Sequence, residues 1–393
     1  MTSKWAGLCE ESRSGILLPN PHRKQGYVTP APAGNARLLH RSLPGYAPTP
    51  LRPLTGVAAR LGVGAVWLKD EAGRLGLPAY KVLGAVWATW RVLERRFGLG
   101  PWVSVDQVRM KLAGLPRLTL VTATDGNHGR GVARTARWFG CDAEVYVPRG
   151  TAPSRIEGIR VEGARVIEVD GTYDAAVAAA DEVRGEGVLQ IQDHGFPGYE
   201  EIPQWVAEGY ETIFAEADEQ LAAAGGDVPD VVVVQIGVGT LASAAIRHYR
   251  RAGLSRPPRL IGVEAMGIPC ALRSIEAGAP VMLEATARSS IMAGLNCGTP
   301  SSAAWPDLRD AIDAFVAVSD ERARQAMREL AAAGIVAGES GAAGLAGLSE
   351  VMECHRATAE RLGVGAGSRV LVISTEGATD PVAYASIVGA RPA

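Results

Sequence analysis

From about residue 65 onward, short apolar runs rich in β-branched residues alternate with longer stretches of helical spacing, and this alternation limits the fold more than any other feature. Strand-like runs fall at 65–69 (AVWLK), 118–123 (LTLVTA), 143–147 (AEVYV), 165–169 (RVIEV), 188–191 (VLQI), 230–236 (DVVVVQI), 259–264 (RLIGVE), 314–318 (AFVAV) and 369–373 (RVLVI). Several are apolar on both faces, as a strand covered by helices on both sides must be. Helical spacing occupies 80–97, 128–139, 173–184, 201–223, 240–252, 320–333 and 341–362. Strand then helix, repeated, predicts an α/β fold with crossover connections. Roughly the first 60 residues are rich in Pro, Gly and Arg without a sustained period, and read as an arm over the body or a partner subunit.

A chain of 393 residues accommodates two or three ordinary domains, or one large α/β unit with a smaller one inserted. Forty Lys and Arg against 42 Asp and Glu give a formal charge of −2. Nucleic acid or an anionic membrane as main partner calls for a clustered basic field, so the balance favours a small-molecule enzyme. No run reaches the ~18 apolar residues of a membrane span. The five cysteines (Cys9, Cys141, Cys270, Cys297, Cys354) are scattered, with no C-x-x-C pair and no secretory h-region ahead of them, which reads as cytoplasmic. The six histidines lack ligand spacing, so no metal site is expected and an organic cofactor is.

Residues 231–245 (VVVVQIGVGTLASAA) place a Gly-Val-Gly-Thr turn between a buried strand and a helix. Glycines admit backbone N–H groups to an anion, and the helix start adds positive potential. Read as G-x-G-x-x-A, the turn matches a dinucleotide fingerprint, with Glu264 about 25 residues on, near where a ribose-binding acid sits. Read as a phosphate cup, it suits a single phosphoester such as pyridoxal phosphate. Lys81, in PAYKVLGAVWA, favours the second. A cation at a helix start opposes the dipole, so something must offset it. Its neighbours Tyr80, Val82, Leu83, Ala85 and Val86 are apolar or aromatic, and such surroundings favour the neutral amine that condenses with an aldehyde.

The stretch TATDGNHGRG (122–131) follows a strand and opens a helix, so its N–H groups can receive a carboxylate. Asn127 suits a cofactor phenolate oxygen. Asp125 is the unexpected charge, a helix cap on the plainest reading. His128 is set aside from the mechanism.

Together, Lys81 in AYKVLGA, TATDGNHGRG, GVGT (237–240) and ESGAAG (339–344) resemble the fold type II pyridoxal-phosphate enzymes, the tryptophan synthase β group. KDEAGRLGLPAYKVLGA (69–85), TATDGNHGRGVA (122–133), QDHGFPGYEEIPQWVAEGY (192–210), IMAGLNCGTPS (291–301) and STEGATD (374–380) resemble the diaminopropionate ammonia-lyase family, in its order. Departures fall on Tyr80 and Ala85, between Asp193 and Gly198, and at Asn296 and Thr299; apart from the first two, they lie on the substrate side.

The resemblance implies two open, mostly parallel sheets flanked by helices, with a large cofactor domain (1–84 and 199–393), an inserted small domain (85–198) and a homodimer. It implies pyridoxal phosphate on Lys81, its phosphate on Gly237, Val238, Gly239 and Thr240, its ring hydroxyl at Asn127 and its pyridine nitrogen near Thr375. The substrate, a small amino acid, is expected to meet Thr124, Asp125, Gly126, His128 and Asp193. The expected reaction is elimination of 2,3-diaminopropionate, in one or both enantiomers, to pyruvate and ammonia, with Lys81 removing the Cα proton of one hand. Asp125 then serves as a base on the opposite face, an acid for the leaving amine, or only a cap, and Asp193 steers the side-chain ammonium. Alternatives are elimination or replacement on another β-substituted amino acid, a nicotinamide oxidoreductase, and a catalytically silent binding protein. Cys270 and Cys297 sit beside expected active-site loops, as two reduced thiols or as a pair.

Overall fold

The computed structural model describes residues 15–30, 34–124, 126–284, 290–390 and 392. Its strands are β1 (Ile16–Pro19), β2 (Leu51–Pro53), β3 (Ala65–Asp70), β4 (Thr119–Ala123), β5 (Asp142–Pro148), β6 (Arg165–Val169), β7 (Val188–Gln190), β8 (Val231–Gln235), β9 (Arg259–Ala265), β10 (Ala314–Val318) and β11 (Arg369–Ser374). They form a seven-stranded sheet in the order β1-β10-β9-β8-β11-β3-β2 and a four-stranded sheet in the order β6-β5-β4-β7. The small sheet is parallel throughout. The large one is parallel except at its edges, where β1 pairs antiparallel with β10 and β2 with β3.

Those two edge strands, with the helices Ala36–Arg41 and Thr55–Leu61, correct the view of the N-terminal region as an arm alone. Strands of three or four residues are too short for a period to register, and both end in proline, which a sheet edge accepts. The stretch 341–362 is likewise two helices, Ala343–Cys354 and Arg356–Arg361, broken at His355, whose φ of −128° and ψ of 30° leave the helical region.

The run VVVV in β8 shows why the sheet is covered twice. Val232 and Val234 face one apolar cluster, and Val231 and Val233 face a second on the other side. Full burial of each such side chain contributes about 1.5–3 kcal/mol relative to exposure. The first cluster continues through Leu120, Val145, Val147 and Ile191 into the small sheet, so one core joins both layers. Where helix Val82–Phe97 crosses helix Glu201–Ala223, Gly84 and Gly209 let the backbones touch. A Cβ on Gly209 would lie 2.6 Å from the Leu83 carbonyl oxygen, and one on Gly84 would lie 2.5 Å from the Tyr210 ring. This contact fixes the start of the helix that follows Lys81.

Among the described residues, no helix is long and apolar enough to cross a membrane, and no group of three His, Cys, Asp or Glu side chains is arranged to hold a metal ion.

Candidate active site

Segments leaving the C-terminal ends of β4, β7, β8 and β11 meet at a cleft of about 670 Å³ between the two sheets. This is where open α/β sheets place ligands. Lys81, Thr124, Asn127, His128, Asp193, Gly237, Val238, Gly239, Thr240 and Thr375 all line it. Asp125 lies outside the described residues.

Lys81 immediately precedes helix Val82–Phe97, and its amino group donates to Asp193 Oδ2 at 2.5 Å. The anion that offsets a cation at a helix start is thus a residue 112 positions away in sequence. Tyr80, Val82, Leu83, Ala85 and Val86 are buried as expected, and the polar partner the amine meets among them is a carboxylate from the other sheet's side of the cleft. Asp193 is itself buried. Burial opposes its ionisation, yet His128, Lys81 and His194 outweigh burial and hold its carboxyl well below the ordinary carboxylate range. His128 Nε2 bonds the Ile191 carbonyl at 2.8 Å, and its Nδ1 lies 3.7 Å from Asp193 Oδ2. The histidine set aside from the mechanism therefore stands beside the carboxylate that partners Lys81.

The glycine loop opens the helix Thr240–Tyr249 with Gly239 at φ +101°, a conformation that favours glycine. A Cβ there would lie 2.7 Å from Leu308, and one on Gly237 would lie 2.7 Å from the Gly294 carbonyl oxygen. The Val238 carbonyl accepts from the Ser301 amide at 2.8 Å, which pins the loop from outside. Thr240 donates its hydroxyl to the Asp193 carbonyl at 2.7 Å, so the loop also positions the carboxylate that meets Lys81. A helix start with no room for a side chain at Gly237 or Gly239, in the same cleft as a lysine, fits a phosphorylated aldehyde.

On the opposite wall, Gly126 at φ +148° precedes helix Asn127–Phe139, and its amide bonds the Thr124 hydroxyl at 3.0 Å. Asn127 donates to Glu376 Oε2. Thr375 donates to the Ser340 carbonyl at 3.3 Å, and Gln235 beneath it donates to the Ile373 carbonyl at 2.8 Å. Glu339, Ser340, Gln235, Arg155, Tyr173 and Glu376 also line the cleft without having been singled out. Glu339 and Glu376 sit inside the quoted blocks ESGAAG and STEGATD, and their acidity among small residues was the available signal. Burial, with Glu376 adding to it, pushes the Glu339 carboxyl above its ordinary value.

Glu264 has a different task from the ribose contact the dinucleotide reading required. Fully buried in β9, it accepts the amides of Ala271 and Leu272 at 2.8 and 2.7 Å and caps helix Cys270–Ala277. Burial pushes its carboxyl up to about 7 against those two bonds. Both oxygens are spent on that helix, which removes the support for a nicotinamide site. Cys270 and Cys297 do not form a disulfide with each other; the first is buried with its Sγ 3.7 Å from the Gly237 carbonyl, and the second lines the cleft.

Residues 43–376 match the family model described as "Pyridoxal-phosphate dependent enzyme". Diaminopropionate ammonia-lyase of Salmonella typhimurium is 37% identical over 368 residues, spanning 89% of this chain and 90% of that protein. The crystal structure of Escherichia coli diaminopropionate ammonia-lyase in complex with D-serine superposes with a TM-score of 0.87 at 34% identity, covering 95% of this chain and 97% of that one. The same enzyme with an aminoacrylate-PLP azomethine reaction intermediate gives 0.85 at 33% identity, covering 96% and 97%.

Proposed function

The chain belongs to the pyridoxal-phosphate-dependent enzymes, and from that premise we propose that it eliminates ammonia from 2,3-diaminopropionate to give pyruvate and ammonia. The observation that carries the reading is the meeting, in one cleft, of Lys81, its partner Asp193 and the glycine-lined helix start at 237–240. The curated relatives' activity supports the substrate. Pyridoxal phosphate, held through Lys81, supplies the electron sink that acidifies the substrate Cα–H.

The chain's own residues do the rest. Gly237, Val238, Gly239 and Thr240 would hold the phosphate, Asn127 would meet the ring oxygen, and Thr375 would serve the pyridine nitrogen. Thr124, Gly126 and His128 receive the substrate carboxylate at the start of helix Asn127–Phe139. Lys81 would take the Cα proton on its own face, and Asp125 would take it from the opposite face for the other enantiomer. An amine leaves only when protonated, so the site must preserve its ammonium form. Asp193, ionised in its buried place, attracts the substrate's side-chain ammonium and preserves that charge.

The four strands of the small sheet all fall within 85–198, which supports a division into a mobile domain over those residues and a large one over 1–84 and 199–393. Closure between the sheets excludes water from the cleft. We place the enzyme in the cytoplasm as a homodimer; five scattered cysteines with no C-x-x-C pair suit a reducing compartment. A second reading keeps the cofactor and changes the β-substituent; the relative's complex with D-serine favours it, since a β-hydroxyl amino acid enters that site.

The test is direct. Purified protein should absorb in the visible, and borohydride should fix the cofactor to the peptide containing Lys81. Pyruvate and ammonia should form from D- or L-diaminopropionate faster than from serine of either hand. Absence of the visible band after reconstitution would overturn the cofactor reading, and faster turnover of serine the choice of substrate.

A further inference from the structure

The segment after β11 carries a buried carboxylate that the reaction above does not use. Glu376 is 2% exposed, lines the cleft and accepts from Asn127 Nδ2 through Oε2. Its Oε1 is buried with no hydrogen-bond partner among the described residues, a costly arrangement for a group kept only for packing.

The backbone around it is built to hold it. Glu376 bridges to Ala79, two residues before Lys81, and the next amide, Gly377, bonds the Pro78 carbonyl at 2.9 Å. Its own carbonyl accepts from Gly338 at 3.0 Å. A Cβ on Gly341 would lie 2.2 Å from that carbonyl oxygen, and one on Gly338 would lie 3.3 Å from the Glu376 Cγ. Two glycines of the 338–341 segment thus clear space for this one residue. Its side chain then crosses from the large sheet to the start of the helix that follows β4 in the small sheet.

Asparagine offers two N–H donors on one nitrogen. With one given to Glu376, the amide's rotation is fixed: nitrogen faces the carboxylate, and the second N–H remains for a cofactor oxygen. Resting on the pyridoxal-phosphate reading, we propose that Glu376 is a positioning residue for Asn127 and that its negative charge biases the proton shared between the cofactor's ring oxygen and the lysine-bound nitrogen. The carboxylate favours the protonated form, so its removal lowers the pH at which the visible band converts.

The full-length protein reconstituted with pyridoxal phosphate tests this through cofactor affinity and the pH midpoint of the visible band. Glu376→Ala should weaken affinity about tenfold, as expected for loss of a hydrogen bond to a charged group, and lower the midpoint. Glu376→Gln still accepts the Asn127 N–H, so it should keep most of the affinity while lowering the midpoint. The double variant Glu376→Ala/Asn127→Ala should bind no more weakly than Asn127→Ala alone, because both remove one interaction. Additive losses, or an unchanged midpoint in Glu376→Gln, would overturn the proposal. Should Glu376→Ala fail to fold, the Gln midpoint alone decides it. A wild-type protein with no visible band defeats the cofactor reading instead, so the two failures are distinct.

Discussion

Replacing Glu216 by Gln should cost this protein more stability than replacing any surface carboxylate, and the loss should shrink in acid. Glu216 lies in helix Glu201–Ala223 with a side chain fully removed from solvent, as are those of Lys69, Glu71 and Arg74 around it. Its carboxylate takes Arg74 in a fork at 2.7 and 2.8 Å, Lys69 at 2.8 Å, the Tyr46 hydroxyl at 2.6 Å and the Thr49 amide at 3.2 Å. Burial opposes the charge, yet the Arg74 and Lys69 contacts hold the carboxyl down at about 2 against an ordinary 4.5. Burial drags Lys69 below its ordinary value even with Glu71 and Glu216 beside it, and Arg74 is the larger of the two contributions that keep Glu216 ionised. That depression is equivalent to about 3 kcal/mol of folding free energy. Breaking a buried pair typically costs about 3–5 kcal/mol, because the remaining charges stay buried. The sign follows from a lowered pKa: the contribution is complete above 4.5 and fades as the pH falls toward about 2. Urea denaturation of wild type and Glu216→Gln at pH 7 and pH 3 measures both quantities. Glu219→Gln on the same helix is the control, since its largely exposed side chain pairs with Arg37, and exposed pairs contribute about 0–1 kcal/mol. A Glu216→Gln loss no larger than the control's, or equal at both pH values, would refute the reasoning.

Other outcomes follow from the cleft. Asp193→Asn removes the anionic partner of Lys81; with cofactor still bound, kcat/KM for diaminopropionate should fall about 100-fold or more, read by pyruvate release. Gly239→Ala forces a Cβ into a φ +101° turn 2.7 Å from Leu308, and equilibrium titration should show cofactor affinity down at least about tenfold. Cys297, which lines the cleft, should alkylate before the buried Cys270, and bound cofactor should slow the first reaction; mass spectrometry of peptides from a timed alkylation checks the order.

The central strands were legible because burial on both faces writes itself into composition: a run such as VVVV has no exposed position to interrupt it. The edge strands β1 and β2 were not, since each bonds one neighbour and its side chains need satisfy only half of a core. The same contrast governs the site. Lys81 and the glycine loop announce themselves because each breaks a local rule: a cation at a helix start, and glycines where a strand should simply end. Glu376 breaks no local rule, and its meaning lies in meeting Asn127, 249 positions earlier. Glu264 shows the reverse hazard. Its position suited a ribose contact, but two amides of the following helix claim its oxygens, a local structural use that the same spacing equally allows. Spacing along a chain therefore locates candidate groups, while the partner each group has already taken decides what it remains able to bind. In Lys81 that partner is Asp193, and the loop hydroxyl of Thr240 holds the Asp193 backbone, so the glycine loop and the lysine are mechanically one unit.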